Sequence, residues 1–280
     1  MRYILYNPVS GHGESLTCAE KLRNEAEEAA RLVDMTELVD YDSFLKELGD
    51  EDVIVICGGD GTLNRFINEI YGSNIKNTVL YSPTGTGNDF YTDMTGEKCG
   101  APIDVTNEIV NLPTVTVNGK SYKFINGVGY GIDGYCCEVG DELRAKGKKA
   151  NYTAIAIKGL LFKFKPRNAT VTVDGIQRTY KKVWIAPTMF GKHYGGGMIP
   201  TPNQSRKSEP RKLSLMLFHG SSKLKTLMIF PAIFKGEHVA HTECVEVITG
   251  KNITVKFDSP TPLQIDGETV LGVTEYTATI

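Results

Sequence analysis

The 280-residue sequence lacks several features that mark special classes of protein. No apolar run reaches the ~18 residues of a membrane span, and residues 1–3 lead directly into a predicted strand, so neither a transmembrane helix nor a signal peptide is expected. The net charge of −2 excludes a globally basic nucleic-acid-binding protein. The six cysteines form no C-x-x-C pair and no metal-ligand spacing, which favours reduced, packed thiols. We therefore expect a cytoplasmic protein.

The composition is that of a folded chain with an ample core. Hydrophobic residues make up 41% of the sequence and charged residues 23%, and the length suits one large domain or two ordinary ones. Before residue 107, strands alternate with helices such as the predicted helix 14–32, which implies a parallel sheet. After it, Asn118-Gly119 and Asp174-Gly175 lie between alternating apolar positions, as in β hairpins. We predict an α/β domain over residues 1–107, to which 272–280 could return, and a β-rich antiparallel, sandwich-like domain over 108–271.

The most informative segment is Val53 to Asn64, where a buried strand stops at glycines and a helix begins. Glycine lets the backbone approach a bulky anion, and the N-terminus of a helix stabilises negative charge. A carboxylate beside a polyphosphate repels it unless it holds a metal or a ribose hydroxyl, so we assign one of these roles to Asp60. A structural turn is the alternative for the glycines alone. The candidate phosphate-binding residues are Gly58, Gly59, Asp60, Gly61 and Thr62.

Two further glycine-rich loops follow the predicted strands 2–6 and 78–81. In an open α/β sheet, loops at the carboxyl ends of successive strands converge on one crevice, so we expect all three loops to form one site. Neither a dinucleotide-binding G-x-G-x-x-G in its context nor a P-loop G-x-x-x-x-G-K-[ST] occurs. The further candidate nucleotide-binding residues are Asn7, Ser10, Gly11, Thr84, Gly85, Thr86 and Asn88.

These motifs, in this order, resemble the diacylglycerol kinase catalytic family, which includes bacterial lipid kinases and sphingosine kinases. The resemblance continues through Asn126-Gly127-Val128-Gly129 and Gly195-Gly196-Gly197-Met198 to Ile265-Asp266-Gly267-Glu268, so it spans nearly the whole chain. Gly-Gly-Asp-Gly alone also occurs in NAD kinases and phosphofructokinases. The resemblance implies a cytoplasmic transferase of phospholipid biosynthesis, using ATP and Mg²⁺ in a cleft between its domains. It also implies a lipid substrate. The net charge indicates no nucleic-acid partner, the basic segment 143–167 suggests peripheral membrane contact, and a homodimer stays open.

Asp266 and Glu268 are the candidate catalytic pair. Two carboxylates at i and i+2 of a tight turn could direct one group to the acceptor hydroxyl and the other to Mg²⁺. The alternative is an ordinary hairpin turn like Asp174-Gly175. The resemblance favours the catalytic interpretation, with Asp266 as general base and with Glu268 and Asp60 as metal-coordinating acids.

Asp89 and Asp104 are secondary candidates. The resemblance suggests that they belong to an electrostatic network joining the metal to the active site. The structural alternatives are a helix N-cap at Asp89 and a solvated strand end at Asp104, after Pro102.

One segment departs from the family pattern. Many bacterial members carry an acidic Asp-Asp-Gly-x-Leu-Asp stretch that forms part of a structural magnesium site. The corresponding stretch here, Ser208 to Ser214, has Glu209 as its single acidic residue. Whether the chain binds a second, structural Mg²⁺ ion and whether it is catalytically active therefore stay open.

A basic, partly apolar segment runs from Leu143 to Arg167 without one acidic residue. Lysine and arginine around an apolar face suit an anionic bilayer, whereas a helix packed between domains is the alternative. Residues 223–235 form a second apolar segment that could line an acceptor cleft or belong to the core.

The function expected from these observations is that of an ATP- and Mg-dependent kinase acting on a diacylglycerol-like hydroxyl. Two other functions stay open: a soluble NAD or sugar kinase of the same clan, and a non-catalytic nucleotide-binding regulator. The sequence fixes neither the acceptor lipid nor a preference for ATP over GTP.

Overall fold

A computed structural model describes residues 1–9, 13–73, 75–85 and 87–280. The chain forms two compact units, Met1–Leu112 and Pro113–Ile280. The predicted boundary at 107 lies a few residues before this division. Residues 272–280 do not return to the first unit, because the last strand of the second unit, Glu268–Thr279, contains nearly all of them.

The first unit alternates strands and helices, as its sequence pattern predicts. Its strands are β1 Arg2–Tyr6, β2 Ala30–Asp34, β3 Val53–Gly58, β4 Thr78–Pro83 and β5 Ile103–Asp104. Its helices are α1 Glu14–Glu25, α2 Tyr41–Glu47, α3 Asp60–Glu69, α4 Asp89–Thr95 and α5 Thr106–Val110.

The strands of the first unit form a mostly parallel sheet in the order β2-β1-β3-β4-β5, where β5 alone runs antiparallel to its neighbour among the described strands. Apolar side chains of β1 and β3 pack against α1, with Ile4, Val55 and Ala19 almost fully buried. The sheet order brings the carboxyl ends of β1, β3 and β4 side by side, which confirms the predicted α/β architecture.

The predicted helix 14–32 is wrong in its second half. Helix α1 ends at Glu25, and Ala30–Asp34 instead forms β2, which pairs in parallel with β1. Alanines 26, 29 and 30 continue the spacing of the helical stripe. The pairing with β1 is a long-range contact that outweighs this local pattern.

The second unit is rich in antiparallel strands. These are β6 Thr114–Val117, β7 Lys120–Lys123, β8 Gly127–Tyr130, β9 Arg167–Val173, β10 Ile176–Val183, β11 Thr188–Met189, β12 Leu213–Phe218, β13 Val245–Gly250, β14 Asn252–Ile265 and β15 Glu268–Thr279. Its α-helices are α6 Ile132–Ala145, α7 Tyr152–Lys158 and α8 Lys223–Ile229, and a π-helical turn, Gly159–Lys163, continues α7.

The predicted hairpin turns are confirmed. Asn118 and Asp174 have φ angles of 49° and 47°, and Asp266 has 47°, each followed by a glycine that also has positive φ. Two consecutive residues with positive φ make the tight turn that matches the twist of paired strands, and Asn-Gly and Asp-Gly adopt it readily.

One apolar core of this unit lies where α6, α7 and α8 cover the sheet. Trp184 lies in it with 2% of its surface exposed, and Phe218 and Ile229 pack in the same cluster. Among the described residues, no helix combines the length and the apolar character that crossing a bilayer requires.

Candidate active site

The loops after β3 and β4 are joined by hydrogen bonds in the first unit. The backbone N–H of Thr84 donates to the carbonyl of Gly58 over 2.8 Å. The Asp60 carboxylate accepts from the N–H of Asp89 at 2.7 Å and from that of Phe90 at 3.3 Å. Two of the three predicted loops therefore form one site at the carboxyl end of the sheet.

These contacts give Asp60 a structural role besides the predicted one. Its side chain caps the first N–H groups of α4, whose own N-cap residue, Asn88, makes no side-chain capping bond. Asp89 is the first residue of the helix and is buried, so the alternative of an N-cap at Asp89 is wrong. The chain thus holds two carboxylates, Asp60 and Asp89, beside the glycine loop.

Two buried polar atoms in the loop after β4 find no hydrogen-bond partner among the described residues. They are Thr84 Oγ1 and Asn88 Oδ1. Buried polar groups in native proteins are nearly always satisfied by protein, water or ligand, so these two atoms are open to a polar ligand. Burial raises the pKa of Tyr81 well above its ordinary value, and the charge of Asp60 and a hydrogen bond to its carboxylate act in the same direction, so the protonated hydroxyl is directed to Asp60.

The backbone of the glycine loop is packed tightly against the first turn of α3. A Cβ at Gly58 would lie 2.3 Å from that of Thr62, so a larger residue cannot occupy this position. Thr62 itself is 3% exposed. Gly59 is the N-cap residue of α3, and Gly61 is exposed with open space where a Cβ would lie. The predicted phosphate loop thus contains one glycine fixed by packing and one that faces open space.

The loop after β1 is tied to the same sheet edge. The hydroxyl of Ser15 accepts from the Asn7 N–H at 3.0 Å and donates to the Cys57 carbonyl at 2.6 Å. This brings Asn7 beside the end of β3, as predicted. The candidates Ser10, Gly11 and Thr86 lie outside the described residues, and Gly85 is exposed in the loop after β4.

Asp266 lies in the second unit, in the turn between β14 and β15. Its carboxylate accepts three backbone N–H groups, from Ile125 at 2.5 Å, Asn126 at 2.8 Å and Gly127 at 2.9 Å. Burial raises the pKa of Asp266, and these three donors together with the charge of Arg206 oppose that shift. The segment that resembles the family motif Asn126 to Gly129 therefore holds Asp266 as a fixed carboxylate.

Arg206 braces the same segment from its other side. Its guanidinium donates to the Ile125 carbonyl and, over 2.6 Å, to Asn126 Oδ1. It also lies over the Phe190 ring, 5.3 Å from the centroid, and Arg211 lies over that ring at 5.0 Å. Two cations thus lie over the Phe190 ring, and one of them, Arg211, belongs to the poorly acidic stretch 208–214.

Glu268 and Asp104 have different surroundings from the other candidates. Glu268 is exposed at the start of β15. Asp104 is exposed at the end of β5, and its carboxylate accepts from the N–H and hydroxyl of Thr106 at 2.9 and 2.6 Å. Asp104 thus lies at a solvated strand end, which is its structural alternative.

The described residues contain no cluster of three or more histidine, cysteine, aspartate or glutamate side chains that could hold a metal by itself. Mg²⁺ in phosphoryl-transfer sites is commonly held by one or two carboxylates together with substrate phosphates. The carboxylates Asp60 and Asp89 are therefore compatible with Mg²⁺ that arrives with a nucleotide.

Three residues of these sites were not predicted. Ser15 and Tyr81 carry no motif, and their roles depend on packing between distant segments. Arg206 lies just before the stretch 208–214, which departs from the acidic family pattern. The basic residues of that stretch were the one sequence signal for a cation in this region.

Comparison with known proteins agrees with the architecture. Residues 2–118 match the model of the diacylglycerol kinase catalytic domain, and residues 126–279 match the YegS C-terminal NAD kinase beta sandwich-like domain. A diacylglycerol kinase of Mycobacterium tuberculosis is 27% identical over 270 residues, which cover 91% of this chain and 84% of that protein.

The crystal structure of a diacylglycerol kinase from Bacillus anthracis strain Sterne has a similar fold. It aligns with a TM-score of 0.61 at 17% identity, over 99% of this chain and 93% of that one. Together with the loops and hairpins described above, these matches show that the chain belongs to the diacylglycerol kinase catalytic family.

Proposed function

We propose that the protein is an ATP- and Mg²⁺-dependent kinase that phosphorylates the hydroxyl of a diacylglycerol-like lipid. Family membership supports a lipid-kinase-like phosphotransferase. The observation that carries the proposal further is the joining of the loops after β3 and β4, where two buried polar atoms, Thr84 Oγ1 and Asn88 Oδ1, find no partner among the described residues. Donors and acceptors of this kind are what a nucleotide would satisfy.

The nucleotide phosphates are assigned to the loop Gly58–Thr62, whose exposed Gly61 leaves the backbone accessible. Asp60 is the residue of this loop proposed to hold Mg²⁺ together with the nucleotide phosphates. When bound, Mg²⁺ neutralises the phosphate charge that develops during transfer. Tyr81 stays protonated and, through its hydrogen bond to Asp60, is proposed to orient that carboxylate.

The acceptor proton is assigned to Asp266. A carboxylate acts as a general base more readily when it is fixed in position and its pKa is raised. Burial raises the pKa of Asp266, and the N–H groups of residues 125–127 fix its orientation. Asp266 combines both features.

No observation favours the alternatives of a soluble NAD or sugar kinase or a non-catalytic regulator. The relatives reported above are named for diacylglycerol.

The test compares Asp60→Asn with Asp40→Asn. Asp40 caps α2 in the same unit, where it accepts from the Ser43 N–H at 2.9 Å, so the control neutralises a comparable capping carboxylate. The amide oxygen of asparagine can still accept a hydrogen bond, so each change should lower stability only slightly. Asp60→Asn alone should also abolish the thermal stabilisation by Mg-ATP and the transfer of labelled phosphate from ATP to extracted lipid.

Equal stabilisation by Mg-ATP in both variants would refute the nucleotide site. Nucleotide binding by the parent protein without transfer to any extracted lipid would instead favour a regulator. Transfer to a water-soluble hydroxyl alone would favour the soluble kinase.

A further inference from the structure

The second unit carries large apolar side chains on its surface, on α7 with its π-helical turn and on α8. Phe162, Met228 and Leu224 are 74%, 73% and 69% exposed. The same elements bury other side chains in the core, including Leu160 and Ile229. The buried side chains hold both elements on the core, so the exposed apolar side chains are not needed for that packing. We call Ile157, Leu161, Phe162, Leu224 and Met228 the apolar face.

The two elements of the apolar face adjoin each other. The Lys223 Nζ donates to the carbonyl of Leu161 over 3.2 Å. Leu224 follows Lys223 and Phe162 follows Leu161, so this hydrogen bond brings the two exposed segments close together. A contiguous apolar surface on a folded unit marks an interaction site more often than scattered exposed residues do.

The charge around the apolar face has one sign. Residues 144–167 contain eight lysines and arginines with no acidic residue, and residues 221–236 contain three lysines with none. Ion pairs neutralise two of these cations, Arg144 with Asp141 and Lys225 with Glu243. Lys158, Lys163 and Lys165 form no ion pair with a carboxylate in the part of the chain that the structure describes. A net positive surface thus surrounds the apolar face.

The segment that follows Phe162 lines a pocket of about 180 Å³. Its walls include Lys163, Lys165, Arg167 and Tyr135. The Arg167 Nε is buried and finds no hydrogen-bond acceptor among the described residues. Three cations and an unsatisfied guanidinium donor without a carboxylate fit an anionic oxygen ligand such as a phosphate.

We propose that the apolar face docks on an anionic lipid leaflet and that the pocket of Lys163, Lys165 and Arg167 receives the phosphate of a lipid headgroup. Apolar side chains would enter the boundary of the acyl chains while the lysines lie at headgroup level. A second copy of the chain is a poorer occupant, because a two-fold interface would bring the same lysines against each other. The inference rests on the proposed function, since docking brings the enzyme to the membrane that contains its acceptor.

The test measures co-sedimentation with phosphatidylcholine vesicles, with and without a quarter of phosphatidylglycerol, in the absence of nucleotide. Phe162→Ser with Met228→Ser should lower partitioning into both vesicles about tenfold or more. Lys163→Glu with Lys165→Glu should lower partitioning into the anionic vesicles by at least about tenfold, since each lysine contributes about fivefold, and should change partitioning into phosphatidylcholine little. The matched control is Leu271→Ser with Lys181→Glu, an exposed apolar residue and an exposed lysine on other strands of the same unit.

Equal partitioning of the parent, both double variants and the control would overturn the proposal. Two other results would also do so. A parent dimer that Phe162→Ser with Met228→Ser dissociates without lipid would assign the apolar face to a second copy. Thermal stabilisation of the parent by inorganic phosphate, lost in the lysine variant whose vesicle binding is normal, would assign the pocket to a soluble anion.

Circular dichroism and the unfolding midpoint show whether each variant is folded. Vesicle binding needs no turnover, so the two proposals fail separately. A parent protein that binds anionic vesicles but transfers no phosphate would refute the kinase and leave the docking surface.

Discussion

Asp266 and Asp174 occupy the same position in two Asp-Gly hairpin turns, and both accept backbone N–H groups from a neighbouring segment. Asp174 accepts from Lys251 and Asn252 at an exposed edge. Asp266 accepts from residues 125–127, and burial raises its pKa. The turn is therefore structural at both positions, and the environment of the carboxylate distinguishes them.

Replacing Asp266 by Asn is expected to affect both stability and chemistry. A carboxylate has two acceptor oxygens, whereas an amide has one. At least one N–H of residues 125–127 therefore loses its partner, and stability falls by about 1–3 kcal/mol. The amide also cannot take the acceptor proton, so kcat should fall on the order of 10²-fold or more at nearly constant KM for ATP. Steady-state kinetics and urea unfolding measure the two effects.

Asp174→Asn is the control for Asp266→Asn. It removes the same kind of turn contact and should lower stability while leaving kcat near that of the parent. Near-normal turnover in Asp266→Asn, on an acceptor that the parent phosphorylates, would remove Asp266 from the mechanism and leave it as a turn residue.

Arg206 is expected to act on the reaction through Asp266. Its positive charge lowers the pKa of that carboxyl against the effect of burial. In Arg206→Met the pKa of Asp266 should therefore rise, so the carboxylate needed as base is lost at a higher pH. The acid limb of the kcat/KM profile should move to higher pH, with the largest loss of activity at the acid end.

Arg211→Met is the matched change, because Arg211 lies over the same Phe190 ring but is not among the charges that shift the pKa of Asp266. It should leave the position of the acid limb unchanged. Parallel profiles for the two variants, both lowered at every pH, would mean that Arg206 only supports the fold.

At the scale of single elements, the local turns could be predicted and the long-range contacts could not. Asn118-Gly119 and Asp174-Gly175 form turns through their own preference for positive φ, which the sequence displays directly. The end of α1 at Glu25 depends on β2 pairing with β1, and the capping of α4 depends on Asp60, 29 residues away. Neither contact leaves a periodic pattern.

The convergence of the loops could be predicted for a different reason. Parallel strands bring their carboxyl ends to one sheet edge whatever the details of packing. Ser15 and Tyr81 depend on those details and were missed. The motifs thus identified the loops that converge at this sheet edge, while the residues that hold the loops became visible only in the folded unit.

Replacing Gly61 tests whether nucleotide phosphates approach the first turn of α3. A Cβ there would meet no atom within 4 Å, and alanine is the better helix former by up to about 1 kcal/mol. Gly61→Ala should therefore leave the unfolding midpoint equal or higher without ligand, and it should weaken stabilisation by Mg-ATP because a methyl group occupies the approach to the loop.

Gly58→Ala is the contrasting change in the same loop. Its Cβ would collide with Thr62, so it should lower stability whether or not nucleotide is present. Full Mg-ATP stabilisation in Gly61→Ala would show that the phosphates do not approach α3 at this residue.

At the scale of the whole molecule, the stability of the second unit should depend on the protonation of one buried carboxyl. Asp133 lies in the first turn of α6 and is 8% exposed. Burial raises its pKa to about 6, and the side chains of Tyr194 and Gln264 oppose the shift. The folded unit therefore holds this proton more tightly than the unfolded chain does.

The sign of the pH dependence follows from that difference. Below about pH 4 Asp133 is protonated in the folded unit and in the unfolded chain, and its contribution to the free energy of unfolding is fully present. As the pH rises towards 6, the unfolded chain ionises first, and the contribution is lost. Asp133→Asn has no charge to lose, so its stability relative to the parent should increase between about pH 4 and pH 7, by on the order of 2–3 kcal/mol.

Trp184 makes this measurement specific to the second unit, because it is the one tryptophan of the sequence and lies in that unit's core. Urea unfolding followed by its fluorescence gives the free energy of unfolding at each pH. Asp40 in the first unit has a pKa lowered by its hydrogen bonds to Ser43, so the stability it contributes is already present above about pH 4, and Asp40→Asn should change in parallel with the parent from pH 4 to pH 7. If the parent and Asp133→Asn change in parallel from pH 4 to pH 7, Asp133 is already ionised in the folded unit, and its buried charge must be balanced by contacts stronger than those with Tyr194 and Gln264.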